Sequence, residues 1–108
     1  IIKRLADDYN LGSLNYDWRK WGDRKLAEEV LDLFRDDIEK LVADGGSPVS
    51  IVAHSMGAQV TLWCLTQLGE DWEKKNVKQL IFCAPAVSGT PVIFPCFANG
   101  PAGNMISG

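Results

Sequence analysis

The chain has 108 residues, of which 46% are apolar and 23% are charged, and its formal net charge is −3. This is the balance of an ordinary globular protein, and it provides no basic field for nucleic acid, so we expect no nucleic-acid partner. No apolar run approaches the roughly 18 residues of a membrane span, and residues 1–4 lack the apolar core of a signal peptide.

The length also limits what the chain can be. An α/β protein with helices on both faces of its sheet commonly needs about twice this length. We therefore expect residues 1–108 to form one partial domain, the central piece of a larger domain whose N- and C-terminal parts are missing. The absence of a signal peptide then says nothing about the parent protein.

The first half of the chain predicts two helices. Residues 1–8 carry apolar and charged side chains on opposite faces and predict the tail of a helix. After a turn over residues 10–15, Asp23 is placed to cap a long helix that ends near Ala43, before a pair of glycines. That helix has apolar residues at the spacing of a core-facing stripe: Leu26, Val30, Leu31, Phe34, Ile38, Leu41 and Val42.

The second half predicts a strand, a helix and a second strand. The strand begins at residue 49, the helix covers residues 57–69, a polar link covers residues 70–76, and the second strand covers residues 77–83. This alternation predicts an α/β fold with a parallel sheet, flanking helices and a right-handed crossover. Parallel strands are usually buried on both faces, whereas an incomplete sheet exposes its edges and one apolar face.

The junction between the first strand and the following helix has the pattern of a nucleophile elbow. Ser55 lies between the small residues Ala53 and Gly57, which such a tight turn requires two positions before and after the serine. The pattern predicts that Ser55 is a catalytic nucleophile and that the backbone N–H of Met56 donates to an oxyanion. The alternative is an ordinary strand-to-helix turn in which the Ser55 hydroxyl caps the helix.

The three cysteines predict neither a metal site nor a disulfide framework. Cys64, Cys83 and Cys96 are too few and too irregularly spaced for zinc, and their odd number prevents complete internal pairing. Cys64 falls in an apolar helix and Cys83 ends an apolar strand, so we expect both to be small buried hydrophobic residues. We expect no metal and no cofactor.

Short motifs in a fixed order carry a closer resemblance. Residues 16–19 read Tyr-Asp-Trp-Arg, residues 53–57 read Ala-His-Ser-Met-Gly, and residues 84–90 contain Ala-Pro followed by Ser-Gly-Thr. With the long amphipathic helix between them, they resemble the lecithin:cholesterol acyltransferase family, which includes phospholipid:diacylglycerol acyltransferases and lysosomal phospholipase A2-like enzymes. The Tyr-Asp-Trp-Arg run distinguishes this family from the many hydrolases that have only the elbow.

This resemblance implies a partial α/β-hydrolase fold, with Ser55 as the acyl-accepting nucleophile and Met56 as an oxyanion donor. It implies acyl transfer from a glycerophospholipid to a sterol, a diacylglycerol, another lipid alcohol or water. For the complete protein it implies work at a membrane or lipoprotein surface, and it favours the secretory pathway, the lysosome or vacuole, or the ER lumen.

Asp17 and Arg19 belong to the discriminating run. The planar guanidinium of arginine suits a carboxylate, so we expect the two side chains to form a buried ion pair that fixes the loop beside the active site. Direct contact with substrate is the alternative role for this pair.

The catalytic partners of Ser55 are missing from the chain. His54 is the one histidine present, and because it directly precedes Ser55, its side chain should diverge from the serine hydroxyl. In α/β-hydrolases the acid and then the histidine both follow the serine along the chain. Asp71 lies on the polar link, where a solvated surface charge explains it better than catalysis does. We expect the 108 residues alone to have little or no turnover.

Two alternative functions stay open. The chain could belong to another serine hydrolase of the same fold, such as a neutral lipase, an esterase or a thioesterase. It could instead be a non-catalytic remnant or interaction module that kept the fold and lost the triad, which the absence of a usable histidine supports.

Overall fold

The structure is a computed structural model that describes residue 4 and residues 6–85. Within these residues the elements follow one another in this order: a 3₁₀ helix Trp18–Lys20, α1 Arg24–Gly45, β1 Val49–His54, α2 Met56–Leu68, α3 Glu70–Asn76 and β2 Val77–Cys83. Arg4 and Ala6, in the predicted helix tail, have helical backbone. Residues 1–3 and 5 of that tail lie outside the described residues.

Helix α1 begins directly after its predicted cap, Asp23, and extends to Gly45, two residues beyond the predicted end near Ala43. The Asp23 Oδ1 accepts a hydrogen bond from the Leu26 N–H at 3.1 Å. Gly46, at φ 71°, donates its N–H to the Val42 carbonyl at 2.8 Å. Because glycine adopts a left-handed backbone without steric cost, Gly46 ends the helix. The residues that α1 buries recur at every fourth position: Val30, Phe34 and Ile38.

Strands β1 and β2 pair in parallel, as predicted. Ile51 lies opposite Leu80, and His54 lies opposite Cys83 at the carboxyl end of both strands. The register is irregular after Val49, close to the start of β1. The chain returns from β1 to β2 through α2 and α3, so the described residues form an α/β unit with a parallel sheet and flanking helices.

The described helices cover one face of this sheet. On the covered face Ala53 is buried, whereas on the other face Val52 is 64% exposed and Ile81 is 42% exposed. The expectation that the strand is buried on both faces is therefore wrong for the described residues. The physical reason is that no described element packs on the second face, which is the bare apolar face expected of an incomplete sheet.

The segment after α2 is helical, so its prediction as a polar link is wrong. Acidic residues occupy the first turn of α3 and lysines occupy the last turn, which complements the helix dipole. Trp72 is the one aromatic residue of α3; its Nε1–H donates to the Glu39 carboxylate at 2.9 Å, and its ring lies 6.2 Å from that of Phe34. One apolar anchor in seven residues produces no helical periodicity, which is why the sequence pattern did not predict this helix.

The core lies between α1 and α2. Val60, Cys64 and Leu65 of α2 pack against the buried stripe of α1. Helix α2 begins directly after Ser55, and its packing against α1 thus fixes the position of its first turn. No helix in the described part of the chain has both the length and the apolar character that crossing a membrane requires.

Candidate active site

Ser55 occupies the turn between β1 and α2 in a strained backbone conformation. Its φ is 54° and its ψ is −121°. Residues with a side chain rarely adopt positive φ, and such strain persists only where the surrounding structure holds it. The residue is exposed, and its side chain makes no capping hydrogen bond to α2. The alternative of a helix-capping hydroxyl is therefore wrong, and the hydroxyl is available to a reactant.

Backbone hydrogen bonds hold this turn from two sides. The Ser55 N–H donates to the Cys83 carbonyl at 3.0 Å, which continues the parallel ladder past the last residue of β1. The Ser55 carbonyl accepts from the Ala58 N–H at 3.2 Å. Ser55 is thus fixed both to the neighbouring strand and to the first turn of α2.

Ala53 and Gly57 approach each other across the turn. Ala53 is 7% exposed, and a Cβ placed on Gly57 would lie 3.8 Å from the Ala53 Cβ, an ordinary van der Waals contact. A methyl group therefore fits at position 57 in contact with Ala53, and a larger side chain there has less room. The small residues that the sequence pattern singled out are close neighbours in the fold.

Met56 is the first residue of α2 and is half-buried. The first N–H groups of an α-helix have no acceptor within the helix, and the positive end of the helix dipole lies there. The N–H next to the Ser55 hydroxyl can therefore donate to an anionic oxygen formed at the serine.

The described residues bring no acid or base to Ser55. No histidine ring or carboxylate among them makes a hydrogen bond with the Ser55 hydroxyl. His54 is exposed on the open face of the sheet, and Asp71 is exposed on α3. The chemistry available is therefore a placed hydroxyl and a backbone donor, without a group that removes the serine proton.

Asp17 and Arg19 pair as predicted, but the pair is not buried. The Arg19 Nε and Nη2 atoms donate to the two Asp17 carboxylate oxygens at 2.9 and 3.1 Å, a forked arrangement. The side chain of Arg19 is 73% exposed and that of Asp17 is 32% exposed. The Arg19 side-chain hydrogen bonds lower the pKa of Asp17 from its ordinary value. Asp17 also accepts from the Arg19 N–H and so caps the 3₁₀ helix, which explains the pairing by local geometry rather than by burial.

Aromatic rings connect the Tyr-Asp-Trp-Arg segment to the helix of the elbow. The Tyr16 ring lies 5.9 Å from the Trp21 ring, and the Trp21 ring lies 5.4 Å from that of Trp63 in α2. Burial raises the pKa of Tyr16 from its ordinary value. Trp21 was not among the predicted site residues, although the clustering of aromatic residues at positions 16–21 was a usable signal.

The cysteines divide into a buried and an exposed thiol. Cys64 is fully buried in α2, and burial raises its pKa to about 11, so it is a protonated core residue as predicted. Cys83 is exposed, so the prediction of a buried residue is wrong; it lies beside His54 on the open face of the sheet. Cys96 lies outside the described residues. The described residues contain no group of three or more His, Cys, Asp or Glu side chains able to hold a metal.

Comparison with known proteins identifies relatives of this chain. The family model described as lecithin:cholesterol acyltransferase matches residues 5–107. Proteins named lysosomal phospholipase A and acyltransferase are similar: the one from Bos taurus is 30% identical over 94 residues, and the one from Homo sapiens is 31% identical over 85 residues. Each alignment covers 79% of this chain and 20% of the relative, so the chain spans a small part of the relatives' length. No solved structure gives a significant match.

Proposed function

We propose that this chain, which belongs to the lecithin:cholesterol acyltransferase family, is the nucleophile-bearing part of a longer lipid acyltransferase or phospholipase of the α/β-hydrolase fold. The observation that carries the proposal is the backbone of Ser55, at φ 54° and ψ −121°, on a turn whose hydroxyl is not used for capping. A strained serine at the carboxyl end of a parallel sheet is the geometry from which a hydroxyl can attack a carbonyl.

The proposed reaction is covalent acyl transfer in two steps. In the first, the Ser55 Oγ forms a bond to an ester carbonyl of a glycerophospholipid, and the Met56 N–H donates to the resulting oxyanion. The intermediate collapses by breaking the ester C–O bond, so that the acyl group stays on Ser55 and the protonated lysophospholipid leaves. In the second step, the hydroxyl of a sterol, a diacylglycerol or water attacks the acyl-enzyme and restores Ser55.

Both steps need a base that the 108 residues do not supply. The serine proton must leave as the Oγ–C bond forms, and the same base returns a proton to the leaving oxygen. The one histidine of the chain, His54, is exposed on the open sheet face and makes no hydrogen bond with Ser55. We therefore assign the base and its acid to a part of the complete protein outside this chain, and we expect the isolated chain to be inactive.

The test is covalent labelling of the complete protein that contains this chain. A fluorophosphonate reacts with an activated serine by losing fluoride and leaving a stable phosphonate ester, and peptide mass spectrometry then locates the ester. We expect the label on Ser55 and its loss in Ser55→Ala. Ser50→Ala is the matched control, because Ser50 is an exposed serine of the preceding strand, β1, and accepts from the Gln79 side chain at 2.9 Å. A label on another serine, or one that survives Ser55→Ala, contradicts the proposal.

The donor and acceptor are tested on the same protein with glycerophospholipid vesicles that contain a sterol, a diacylglycerol or neither. Formation of lysophospholipid with an acylated acceptor indicates a transferase, and lysophospholipid with free fatty acid indicates a phospholipase. Hydrolysis of soluble short-chain esters alone would favour another lipase or esterase of the same fold. If neither label nor turnover appears, the chain belongs to a non-catalytic member of the family. The support for this alternative hypothesis is that the one histidine of the chain, His54, is exposed and makes no hydrogen bond with Ser55.

A further inference from the structure

Thr61 is a polar residue at a buried position of α2. It is 5% exposed, and its Oγ1 donates a hydrogen bond at 2.8 Å to the Gly57 carbonyl, one helical turn earlier. Valine has nearly the same shape without a hydroxyl, and a buried hydroxyl costs free energy unless it finds a partner. The partner that Thr61 finds is a backbone carbonyl in the first turn of the helix that follows Ser55.

This carbonyl belongs to a peptide group that is bonded to Ser55. A peptide group is planar, so the Gly57 carbonyl and the Ala58 N–H at its other end turn together. The Ala58 N–H donates to the Ser55 carbonyl at 3.2 Å. The Ser55 carbonyl and the Met56 N–H are the two ends of a second peptide group. Two hydrogen bonds and two planar groups therefore lead from the Thr61 hydroxyl to the Met56 N–H.

The direction of these bonds matters for the Met56 N–H. Donation to a carbonyl draws electron density from the N–H of the same peptide group, so that each bond in such a chain strengthens the next. Here the donation runs from Thr61 to Gly57 and then from Ala58 to Ser55, and it ends at the proposed oxyanion donor. The same two bonds restrict rotation of both peptide groups. A donor that is oriented before the charge forms stabilises that charge most.

Gly57 is the residue of this turn that most requires a restraint. Glycine has more backbone freedom than any other residue and weakens a helix. A small residue is nevertheless needed there, because a Cβ on Gly57 would already contact the Ala53 Cβ at 3.8 Å. The Thr61 hydroxyl bonds to the carbonyl of this glycine and so supplies a restraint that a side chain on residue 57 does not.

Thr66 makes the same local bond without a link to Ser55. Its Oγ1 donates to the Leu62 carbonyl at 2.8 Å, again four residues earlier in α2. Thr66 is exposed, and the peptide group that it bonds joins Leu62 to Trp63 in the interior of the helix. The two threonines therefore make bonds of equal length and differ in which peptide group receives the bond.

We propose that Thr61 is a positioning residue of the oxyanion donor: its buried hydroxyl orients and polarises the Met56 N–H through two hydrogen-bonded peptide groups. This inference rests on the proposed function of Ser55 and Met56. Because Thr61 acts through the backbone, it is not itself a catalytic residue.

The first test removes the Thr61 hydroxyl and keeps the shape of the side chain. In the complete protein we expect Thr61→Val to lower the rate of Ser55 phosphonylation and the kcat for ester turnover, each about threefold to tenfold. This loss is smaller than the roughly hundredfold loss caused by removing an oxyanion donor, because the Met56 N–H is still present. KM should not change, since the donor acts on charge that forms in the transition state.

Thr61→Ser and Thr66→Val are the matched controls. Serine keeps the hydroxyl and Thr66→Val removes an equivalent bond elsewhere in α2, so both variants should keep the wild-type rate within about twofold. A merely structural role for Thr61 predicts the opposite order, because valine fills the buried position whereas serine leaves a small cavity. The proposal is wrong if Thr61→Val reacts at the wild-type rate, or if either control loses as much rate as Thr61→Val.

Hydrogen exchange provides a second measurement that does not depend on catalysis. Loss of the Thr61 hydroxyl should weaken the bond from the Ala58 N–H to the Ser55 carbonyl. We therefore expect NMR to show that the Ala58 amide exchanges about threefold faster in Thr61→Val and at the wild-type rate in Thr66→Val. An unchanged Ala58 amide in Thr61→Val, or an equal change in both variants, would overturn the positioning role.

The two kinds of failure are distinguishable. If Ser55 is not labelled in the wild-type protein, the proposed function is wrong and the role of Thr61 falls with it. If Ser55 is labelled in the wild type and Thr61→Val changes neither the rate nor the exchange, the proposed function stands and the positioning role alone is wrong.

Discussion

The indole of Trp21 meets the indole of Trp63 edge to face, with ring centroids 5.4 Å apart and ring planes at 84°. Trp21 follows the Tyr-Asp-Trp-Arg run, and Trp63 lies in the helix that starts at the serine elbow. This contact therefore joins two segments that are well separated along the chain and that carry the family resemblance.

The Trp21 and Trp63 rings should stabilise the fold as a pair. We expect Trp21→Leu and Trp63→Leu each to lower the free energy of unfolding, and the double variant to lose about 0.5–1.5 kcal/mol less than the sum, the coupling typical of an aromatic pair. Urea unfolding of the four proteins measures this coupling. Trp18→Leu is the control, since Trp18 is 60% exposed and its loss should be nearly neutral. Strict additivity of the two core substitutions would argue against the coupling.

The strain at Ser55 predicts that glycine is more stable than alanine at this position. Both variants remove the hydroxyl, but only glycine removes the Cβ that opposes φ 54°. The free energy of unfolding of Ser55→Gly should therefore be about 1 kcal/mol higher than that of Ser55→Ala. At Ser50, the second residue of β1, the order should be reversed, because glycine weakens strands. Denaturant unfolding of the four variants measures the order of stability at each position. If the turn at Ser55 is unstrained, the order will be the same at both positions.

The close approach of Ala53 and Gly57 predicts a sharp limit on side-chain size. Gly57→Ala should be tolerated and can raise stability by up to about 1 kcal/mol, because alanine favours the helix. Gly57→Val and Ala53→Val should each cost about 1–3 kcal/mol through overpacking. Gly45→Val is the control, because a Cβ at Gly45 meets nothing within 4 Å. Thermal unfolding measures all four; a harmless valine at position 57 would show that the turn has spare room.

The buried thiol of Cys64 predicts a loss of stability in alkali. Burial raises its pKa from the ordinary value of 9.0 to about 11 in the folded chain. The folded state holds the proton more tightly, so this contribution is complete below the unfolded pKa and is lost as pH rises through the folded pKa. We expect the free energy of unfolding to fall more steeply between those values in the wild type than in Cys64→Ala. Equal slopes in urea titrations at pH 8 to 11 would count against the shift.

The forked ion pair predicts a titration change at Asp17. Arg19 lowers the pKa of Asp17 chiefly through its side-chain hydrogen bonds, so Arg19→Gln should raise that pKa toward its ordinary value. A lowered carboxylate pKa contributes stability above the unfolded pKa and loses it as pH falls through the folded pKa, so the two proteins should differ in acid. Carbon NMR of the Asp17 carboxyl measures the shift. Arg24→Gln, which breaks the separate exposed pair with Glu28, should leave Asp17 unchanged.

Local signals predicted most of the described elements. Asp23 and Gly46 bound α1 because a side-chain acceptor and a left-handed glycine act within a few residues of the helix ends. The second strand was predicted at its observed bounds, since an apolar run between polar segments is also a local feature. Helix α3 was missed because Trp72 is its one apolar side chain, and the partner of that side chain is a helix more than thirty positions earlier in the chain.

The sequence by itself determined where a serine follows a strand, which small residues flank it, and which family the motifs resemble, because these features lie within short stretches of chain. Only the tertiary structure decided that the Ser55 N–H reaches the Cys83 carbonyl and that the Asp17 and Arg19 pair faces solvent. The physical reason is that sheet register and burial depend on how distant segments pack, and no short pattern encodes the partner that packing brings to each backbone group.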